Sequence, residues 1–567
     1  MMKRSYIKIL GLLFVGTALV SCENEFDESV EDGDFYTAGE ADFSNYVTVG
    51  NSLTAGFADG ALYLQGQQNS YPNIIAGQLE HVGGGEFFQP LVNDNLGGLL
   101  AGGNQITDNR FVLAVDADGN PGPAIQSGTP TTDITNKVTG PLNNFGVPGA
   151  KSYHLAAPGY GSVAGVAMGT ANPYYARFSS SETSTVIQDA AAANPTFFTL
   201  WIGNNDILGY ATSGGTKVDP STGEVVAAED HNVTGNVDPS TYAGNDITNN
   251  MVFAGVYSQL VTALTANGAK GALVNIPDVT SIPFFTTVPP LALSPADPTF
   301  GPQIPLLNQV YGGLNQVFAA FGQADRSIQF SSTGASGIVI RDESLADLSQ
   351  NPAFATALTP VVQGIGAAVG LPLSPAQAAG LAQVLAPQFG QIRQATADDL
   401  VTLRAASVIG TLDQDRFNQL NTVFTQGGIP AQTAATLAGQ FSVNGVTVGM
   451  ANQFVLTTDE QDNVADAQAS YNATISQLAA ANGLALVDAR AELQTVAQGG
   501  VPFNGGLLTS EFVTGGAFSL DGVHPTPRGY AYTANAIIEA INAQYGSTIP
   551  MVNIGQYGTI QTSNIID

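Results

Sequence analysis

One histidine of this chain has a carboxylate close enough in sequence to act with it. The chain contains four histidines, and His524 stands in the segment Asp521-Gly522-Val523-His524-Pro525. One short turn can bring the carboxylate of Asp521 to the imidazole Nδ1, which leaves Nε2 to accept a proton from a nucleophile. The alternative interpretation is an unrelated Asp and His in a surface loop. Loop or surface positions are predicted for the other histidines, which have no comparable local partner: His81, His154 and His231.

A serine in the N-terminal part of the chain is a candidate nucleophile. Ser52 lies in Gly50-Asn51-Ser52-Leu53, directly after the β-branched and aromatic run Tyr46-Val47-Thr48-Val49, which predicts a strand. Open α/β sheets bind ligands at the carboxyl ends of their strands, and a glycine permits a tight turn that presents the hydroxyl. The alternative is a serine that only caps the next helix, and the motif alone favours neither interpretation.

Two further segments could supply the hydrogen-bond donors that acyl transfer to a serine requires. Asn205 lies in Gly203-Asn204-Asn205-Asp206, after an apolar run that ends at Ile202. The segment Gly146-Val147-Pro148-Gly149-Ala150 is a glycine-rich turn whose backbone N–H groups could face the same space. Each segment, taken alone, is typical of an ordinary loop.

Taken together, these segments resemble the GDSL, or SGNH, hydrolase family. That family carries a serine, a glycine, an asparagine and an Asp-x-x-His pair in short blocks along the chain, and the same order is found here. The resemblance spans nearly the whole mature chain. It departs from the family at Asn51, because family members usually have an aspartate before the nucleophile.

The resemblance implies a role for each of the residues. Ser52 would be the nucleophile, His524 the base and later the acid, and Asp521 the carboxylate that orients the imidazole. The N–H groups of Ser52 and Gly149 and the side chain of Asn205 would form the oxyanion hole. The implied fold is a flavodoxin-like three-layer α/β/α sandwich with a parallel sheet, and the implied chemistry needs neither a metal nor an organic cofactor.

The elements that must position these residues alternate between strands and helices. Short apolar runs that suit strands covered on both faces occur at 46–49, 196–202, 271–276 and 484–488. Helical spacing of apolar residues is found over Asn249–Asn267, Ala465–Asn482 and Thr533–Tyr545. This alternation predicts βαβ units and the α/β class independently of the resemblance.

Insertions account for the length beyond a minimal fold of this kind. Turn residues at 116–121 and 219–223 predict two β-hairpins. A stretch at about 341–450 is rich in Ala, Gln, Leu and Pro and predicts a helical insertion, in which Thr396-Ala397-Asp398-Asp399 resembles a helix cap. This insertion could be a lid over the site or a structural subdomain, and the sequence leaves both open.

The N-terminus reads as an export signal followed by a lipid anchor. Residues 1–21 have a basic start and an apolar stretch too short to span a bilayer, and they predict a lipoprotein signal peptide. Cys22 is the only cysteine and stands where a bacterial lipobox is lipidated. Residues 22–42 predict an acidic tether, similar to export signals of Bacteroidetes surface lipoproteins, and 43–567 the hydrolase domain. The outer membrane is the predicted location, with the facing leaflet left open.

The charge of the chain limits the classes of molecule that it could bind. The chain has 16 basic and 46 acidic residues and a formal net charge of −30, which disfavours binding to nucleic acid. The resemblance, together with the export signal, implies an extracytoplasmic carboxylic ester hydrolase that acts on an acylated glycan, a short acyl ester or a lysophospholipid. The alternative is a non-catalytic surface lipoprotein that keeps the fold and binds a glycan or a partner.

Overall fold

A parallel sheet of five strands is the centre of the computed structural model, which describes residues 35–117, 119–368 and 372–566. Its strands are β1 (Tyr46–Gly50), β2 (Asn144–Gly146), β3 (Phe197–Trp201), β4 (Lys270–Val274) and β5 (Ala485–Val487). Every neighbouring pair is parallel, and the order across the sheet is 2-1-3-4-5. Strand order reverses direction beside β1, which is the place where open α/β sheets bind ligands.

The strands follow the apolar runs of the sequence. Every residue of β1 and β3 is buried, as expected for strands covered on both faces. The predicted strands at 46–49, 196–202, 271–276 and 484–488 are confirmed, and so is the α/β class. β2 was not predicted, because Asn-Phe-Gly is short and lacks the β-branched residues that mark a strand.

Helices cover the sheet in two groups. The first group packs the last helix, Pro527–Tyr545, against Tyr71–Leu79 and against β4 and β5. The second group consists of Val186–Ala192, Asn250–Thr265 and Thr458–Asn482. Asn250–Thr265 contacts both of the other helices, and those two contact the sheet. The helices predicted at 249–267, 465–482 and 533–545 are thus present, although two of them begin earlier than predicted. Shorter helices of this part of the chain are Ser52–Ala55, Leu64–Gln68, Val163–Ala167, Pro173–Ala176, Asn205–Thr212, His231–Thr234, Pro283–Thr286 and Ala489–Gln498.

A second hydrophobic core lies apart from the sheet. Its buried residues run from Val288 to Val455, and we call this stretch the helical region and the remaining described residues the α/β region. The helical region is larger than the stretch of 341–450 predicted from composition, because the helix at 304–320 and flanking segments share its core. Its helices are Ile304–Ala320, Pro352–Ala368, Pro375–Phe389, Gln414–Gln426 and Ala431–Gln440.

Small sheets of two or three strands, mostly antiparallel, lie in both regions. The turns predicted at 116–121 and 219–223 each join two strands of a hairpin, which confirms both hairpins. The strands outside the central sheet are Leu99–Ala101, Asn104–Gln105, Phe111–Val115, Pro121–Ile125, Thr132–Asp133, Thr216–Val218, Val225–Ala227, Val339–Arg341, Ile392–Gln394, Leu400–Val401, Val455–Leu456, Val501–Phe503 and Gly506–Leu508.

The predicted helix cap at 396–399 is wrong. No helix begins at Thr396, although Asp399 Oδ2 accepts from Thr396 N at 2.8 Å as in a capping box. Both terminal nitrogens of Arg393 also donate hydrogen bonds, at 2.7 Å, to the carboxylate of Asp399. The chain continues from it into the strand Leu400–Val401, which pairs with Val455–Leu456. A turn followed by this strand pairing thus takes the place of the predicted helix.

The start of the described chain is attached to the α/β region. Thr37 and Thr548 exchange hydrogen bonds, with Thr37 N donating to Thr548 Oγ1 at 2.8 Å and Thr548 N donating to the Thr37 carbonyl at 2.9 Å. Residues 37–42 therefore lie on the domain, although they were predicted to belong to the tether. The predicted signal peptide (1–21) and Cys22 lie outside the described residues. Within the described ranges, no helix is both long enough and apolar enough to cross a membrane.

Candidate active site

Ser52 is presented at the carboxyl end of β1. It is the first residue of the helix Ser52–Ala55, and Asn51 caps that helix by accepting from Leu53 N at 3.0 Å. A Cβ on Gly50 would lie 2.1 Å from Thr54 Oγ1 and 2.4 Å from the Trp201 carbonyl oxygen. Glycine is therefore required for the tight passage from strand to helix that exposes the serine hydroxyl.

Three side chains form one continuous hydrogen-bonded chain. His524 Nδ1 lies 2.8 Å from Asp521 Oδ2, and His524 Nε2 lies 2.9 Å from Ser52 Oγ. A carboxylate only accepts, so Nδ1 carries the proton and the Nε2 of the neutral ring accepts from the serine hydroxyl. The sequence predicted that these residues act together, and the fold brings them together from 472 positions apart.

Asp521 is held as a carboxylate by a dense set of donors. Its Oδ1 accepts from the backbone N–H groups of Val523 and His524, both at 2.8 Å, and from Ser519 Oγ at 3.1 Å. Its Oδ2 accepts from Gly60 N at 2.9 Å as well as from the imidazole. Burial by itself raises the pKa of Asp521, but the nearby imidazole and these donors outweigh it and lower the pKa to about 2. Asp521 therefore stays charged at neutral pH.

The loop that carries His524 is fixed at both ends. Ser519 N donates to the His524 carbonyl at 2.8 Å, which closes the turn through Gly522. Thr526 then caps the last helix by accepting from Gly529 N. The imidazole also packs on Phe57, with ring centres 4.7 Å apart.

The loop that carries Asp59 supports the segment around Asp521, and the sequence did not predict this role. Asp59 has a positive φ of 53° and is 4% exposed. Its N–H donates to Ser519 Oγ at 2.9 Å, while its carboxylate accepts from Leu520 N at 3.0 Å and from the Tyr63 hydroxyl at 2.9 Å. No local motif marks Asp59, because Ser519 and Leu520, its partners in the loop of Asp521, lie about 460 residues further along the chain.

The predicted oxyanion donors lie at the ends of β2 and β3, on either side of β1. Within the described chain, neither Ser52 N nor Gly149 N has a protein acceptor. Gly149 has a φ of +79°, which turns its N–H in a way that few other residues tolerate. The side-chain amide of Asn205 donates to the Ala150 carbonyl at 2.9 Å, which leaves its second hydrogen for another acceptor.

The departure at Asn51 has a structural counterpart. Asn51 Nδ2 donates to Asn204 Oδ1 at 3.1 Å, while Asn51 Oδ1 caps the serine helix. Through these two hydrogen bonds, the amide of Asn51 links the turn at Ser52 to the segment that carries Asn205. A carboxylate at this position could accept but not donate.

A buried carboxylate ties two of the donor segments together. Asp206 is fully buried and accepts from Ser152 N at 2.8 Å and from Ser152 Oγ at 2.7 Å. Burial raises the pKa of Asp206, and the nearby ammonium of Lys151 opposes that rise. Because Asp206 follows Asn205 and Ser152 follows Gly149 by three positions, this contact fixes the spacing between the two predicted oxyanion donors. The sequence predicted no separate role for Asp206.

Two other histidines differ from their predicted loop or surface positions. His231 is 1% exposed, stacks on Tyr242 and lies 3.2 Å from Asp246 Oδ2. His154 stacks on Tyr160 and accepts from Lys151 N, and burial lowers its pKa to about 4. The partner of His231 was missed because it lies 15 residues away. Neither histidine lines the cavity described next.

An apolar cavity of about 120 Å³ opens at Ser52 and His524. It extends beneath the ends of β4 and β5, between the helix Ala489–Gln498 and the last helix. None of the described residues that line it belongs to the helical region. The helical region approaches the site at Leu403, which packs on the α/β core beside Gly522. This placement favours the structural subdomain over the lid.

Comparisons of this chain with family models, with curated proteins and with solved structures find no match. The function is therefore inferred from the geometry of the site.

Proposed function

We propose that this protein is a serine hydrolase that cleaves carboxylic esters through an acyl-enzyme on Ser52. The observation that carries the proposal is the hydrogen-bonded chain from Ser52 Oγ through His524 to Asp521. A structural Ser–His–Asp contact needs no unpaired N–H donors around it, whereas here Ser52 N and Gly149 N both lack a protein acceptor among the described residues. Nucleophile, base, orienting carboxylate and candidate oxyanion donors thus occupy one edge of the sheet.

The reaction follows from these positions. Ser52 Oγ attacks the ester carbonyl carbon while His524 Nε2 takes the hydroxyl proton. The oxygen of the tetrahedral intermediate is stabilised by the N–H groups of Ser52 and Gly149 and by the amide of Asn205, and one such donor typically lowers the barrier by about 3–4 kcal/mol. His524 then gives its proton to the departing alkoxide, so that an alcohol leaves and the acyl group stays on Ser52.

The second half of the reaction returns the enzyme to its starting state. Water enters the position that the alcohol vacated, and His524 takes a proton from it as its oxygen attacks the acyl carbon. Collapse of the second tetrahedral intermediate breaks the bond to Ser52 Oγ, which recovers the proton from His524. Asp521, with its low pKa, stabilises the imidazolium in both halves without itself accepting a proton.

We also propose that the fold is the three-layer flavodoxin-like sandwich of the GDSL/SGNH hydrolases. The strand order 2-1-3-4-5 is that of flavodoxin-like proteins, and the four sequence blocks adjoin β1, β2, β3 and the last helix. The anchoring of the protein to the outer membrane through a lipid on Cys22 is likewise a proposal, supported by the sequence of its N-terminus. Recovery of a Cys22→Ser variant in the membrane fraction of the expressing cells would contradict it.

The test compares ester hydrolysis in matched serine variants. Wild-type protein is expected to hydrolyse p-nitrophenyl acetate and to be labelled by a fluorophosphonate, whereas Ser52→Ala loses both. Ser332→Ala is the control, because Ser332 is exposed in the helical region and should retain both. Wild-type turnover no higher than that of Ser52→Ala, with no labelling, would overturn the proposal and favour a binding protein.

A further inference from the structure

The cavity beside the triad has walls that suit a hydrocarbon chain. Its sides are formed mainly by aliphatic and aromatic residues, which come from β4, β5, the two neighbouring helices and the loops around them. Side chains that face it include Val274, Val487, Leu493, Val496 and Leu508. Water in such a space makes few hydrogen bonds, so an apolar ligand displaces it favourably.

Polar side chains in the interior of the cavity already have partners within the protein. Trp201 Nε1 donates to the Asn275 carbonyl at 3.1 Å, and Thr533 Oγ1 donates to the Gly529 carbonyl at 3.0 Å. A sugar ring placed there would bury hydroxyl groups with little compensation, which is unfavourable by several kcal/mol for each unpaired group, roughly 2–7 on transfer scales. The interior therefore disfavours a glycan and favours a chain without polar atoms.

A hydrogen-bonded pair of side chains lies between the cavity and a neighbouring depression. The Tyr532 hydroxyl donates to the Glu492 carboxylate, and both residues, together with Ala536, line this cavity and also a separate surface depression. The pair thus stands as a partition between the two spaces. Its position limits the length of a chain that enters from Ser52.

The order of the chemical steps decides which half of the ester enters. The cavity opens at Ser52 and His524, where the acyl group remains bound after the alcohol has left. An alcohol seated in the cavity would be held behind the acyl-enzyme, whereas an acyl chain seated there leaves the solvent side free for alcohol release and water entry. The acyl half is therefore the occupant that permits turnover.

We propose that the cavity binds the acyl chain of the substrate, and that the preferred substrates are esters of medium-length, unbranched aliphatic acids. This inference rests on the proposed function, because it assigns the substrate class of the same site. The partition formed by Glu492 and Tyr532 sets the upper limit of chain length, and Ala536 provides the space next to it.

The experiment measures kcat/KM for p-nitrophenyl esters from acetate to laurate. Each buried methylene adds about 0.8 kcal/mol, or roughly threefold to fourfold in kcat/KM, until the chain reaches the partition. The expected profile rises by at least about tenfold from acetate to a maximum at medium length and then falls. A flat profile, or one that falls from acetate onward, would overturn the inference while leaving ester hydrolysis intact.

Two variants are expected to change the upper limit of acyl-chain length in opposite directions. Ala536→Phe fills the far end and is expected to shift the maximum to shorter chains, lowering the ratio of decanoate to acetate hydrolysis about tenfold. Tyr532→Ala removes the partition and is expected to shift the maximum to longer chains. Ala543→Phe adds the same bulk at an exposed position of the same helix and should leave the profile unchanged.

The outcomes separate the two proposals. If no ester is hydrolysed above the Ser52→Ala background, the hydrolase proposal fails and this inference fails with it. If esters are hydrolysed but neither Ala536→Phe nor Tyr532→Ala moves the acyl-length maximum, only the acyl assignment fails. A parallel series of acetate esters with alcohols of increasing length is expected to be insensitive to Ala536→Phe, and sensitivity there would assign the cavity to the alcohol half.

Discussion

Asp521 in the α/β region and Asp399 in the helical region are both largely buried carboxylates, but they face different partners. The side chain of Asp521 is 12% exposed and pairs with an imidazole, while that of Asp399 is fully buried and pairs with the guanidinium of Arg393. A guanidinium never releases its proton in a protein, so the second pair can only hold structure. An imidazole can exchange its proton with a neighbouring hydroxyl, so the first pair can do chemistry.

The buried carboxylates of the two regions thus have different roles. In the α/β region the charge lies at the edge of the sheet, beside a cavity and next to Ser52. In the helical region Arg393 joins Asp399 to Asp342, whose carboxylate lies 2.6 Å from Arg393 Nε, and this links segments of the second core. Variants in the two regions should therefore separate loss of activity from loss of stability.

The largest effect is expected from neutralising the carboxylate of the α/β region. Asp521→Asn removes the acceptor that fixes the imidazole tautomer, and kcat/KM for p-nitrophenyl acetate should fall about 10⁴-fold, as in serine proteases with a Ser–His–Asp triad. Steady-state kinetics measure the fall, and circular dichroism establishes that the variant is folded. A folded Asp521→Asn protein within tenfold of wild type would show that the imidazole does not depend on this carboxylate.

The corresponding change in the helical region should leave the chemistry intact. Asp399→Asn leaves Arg393 with a buried, partly unpaired charge, and the free energy of unfolding should fall by about 3 kcal/mol. Urea denaturation measures this loss, while kcat/KM measured well below the unfolding transition should stay within about twofold. A large loss of kcat/KM without loss of stability would mean that the helical region takes part in catalysis.

The contact between the two regions is the next place to probe. A Cβ on Gly522, which has a φ of +70°, would lie 3.1 Å from both Leu403 Cδ2 and Phe284 N. Gly522→Ala should displace the turn between Asp521 and His524 and lower kcat/KM about 10- to 100-fold, because small displacements of catalytic groups are costly.

Two further variants test this explanation. Adding Leu403→Ala relieves one of the two contacts and should restore part of the activity, which a double-mutant cycle measures. Gly268→Ala is the matched control, because Gly268 also has a positive φ but a Cβ there meets no atom within 4 Å. Equal losses of kcat/KM in Gly522→Ala and Gly268→Ala would refute the explanation that Gly522→Ala displaces the turn between Asp521 and His524.

The smallest effect concerns a carboxyl group at the junction of the two regions. Burial, together with Asp342 and Glu343 of the helical region, raises the pKa of Glu460 from 4.5 to about 7. Because folding raises this pKa, the folded state favours the protonated form of Glu460. The contribution of Glu460 to the free energy of unfolding is therefore complete below about pH 4.5 and is lost as the pH rises through 7.

Glu460→Gln should remove this dependence, because glutamine keeps the capping position without a charge. The variant should exceed wild type in free energy of unfolding by about 1–3 kcal/mol at pH 8 and match it near pH 4.5. Urea denaturation at both pH values measures the difference. A wild-type stability that does not fall between pH 5 and 8 would contradict the shifted pKa.

Sequence predictions succeeded where the signal is contiguous. The turn at Gly50-Asn51-Ser52 and the pair Asp521–His524 each occupy a few neighbouring residues, so residue type and spacing suffice to predict them. The capping signal at Thr396–Asp399 was equally local but wrong, because the chain directly after Asp399 pairs as a strand with Val455–Leu456 instead of forming a helix.

Predictions failed where partners are distant in sequence. Asp59 supports the loop of Asp521 from about 460 residues away, and Asp206 reaches back 54 residues to Ser152. Strand β2 is three residues long and is defined by its pairing with β1 rather than by its composition. Such contacts have no periodicity or motif, because only the fold makes those residues neighbours.

By itself, the sequence determined the α/β class, four of the central strands and the residue types of the candidate triad, since these depend on hydrophobic runs, turn residues and local spacing. Tertiary structure alone decided that the hydroxyl of Ser52 lies 2.9 Å from His524 Nε2, that the described helical region stays out of the cavity, and that Glu492 and Tyr532 meet in the cavity lining. The physical reason is that distance and exclusion of water arise from the packing of remote segments, which neighbouring residues along the chain do not encode.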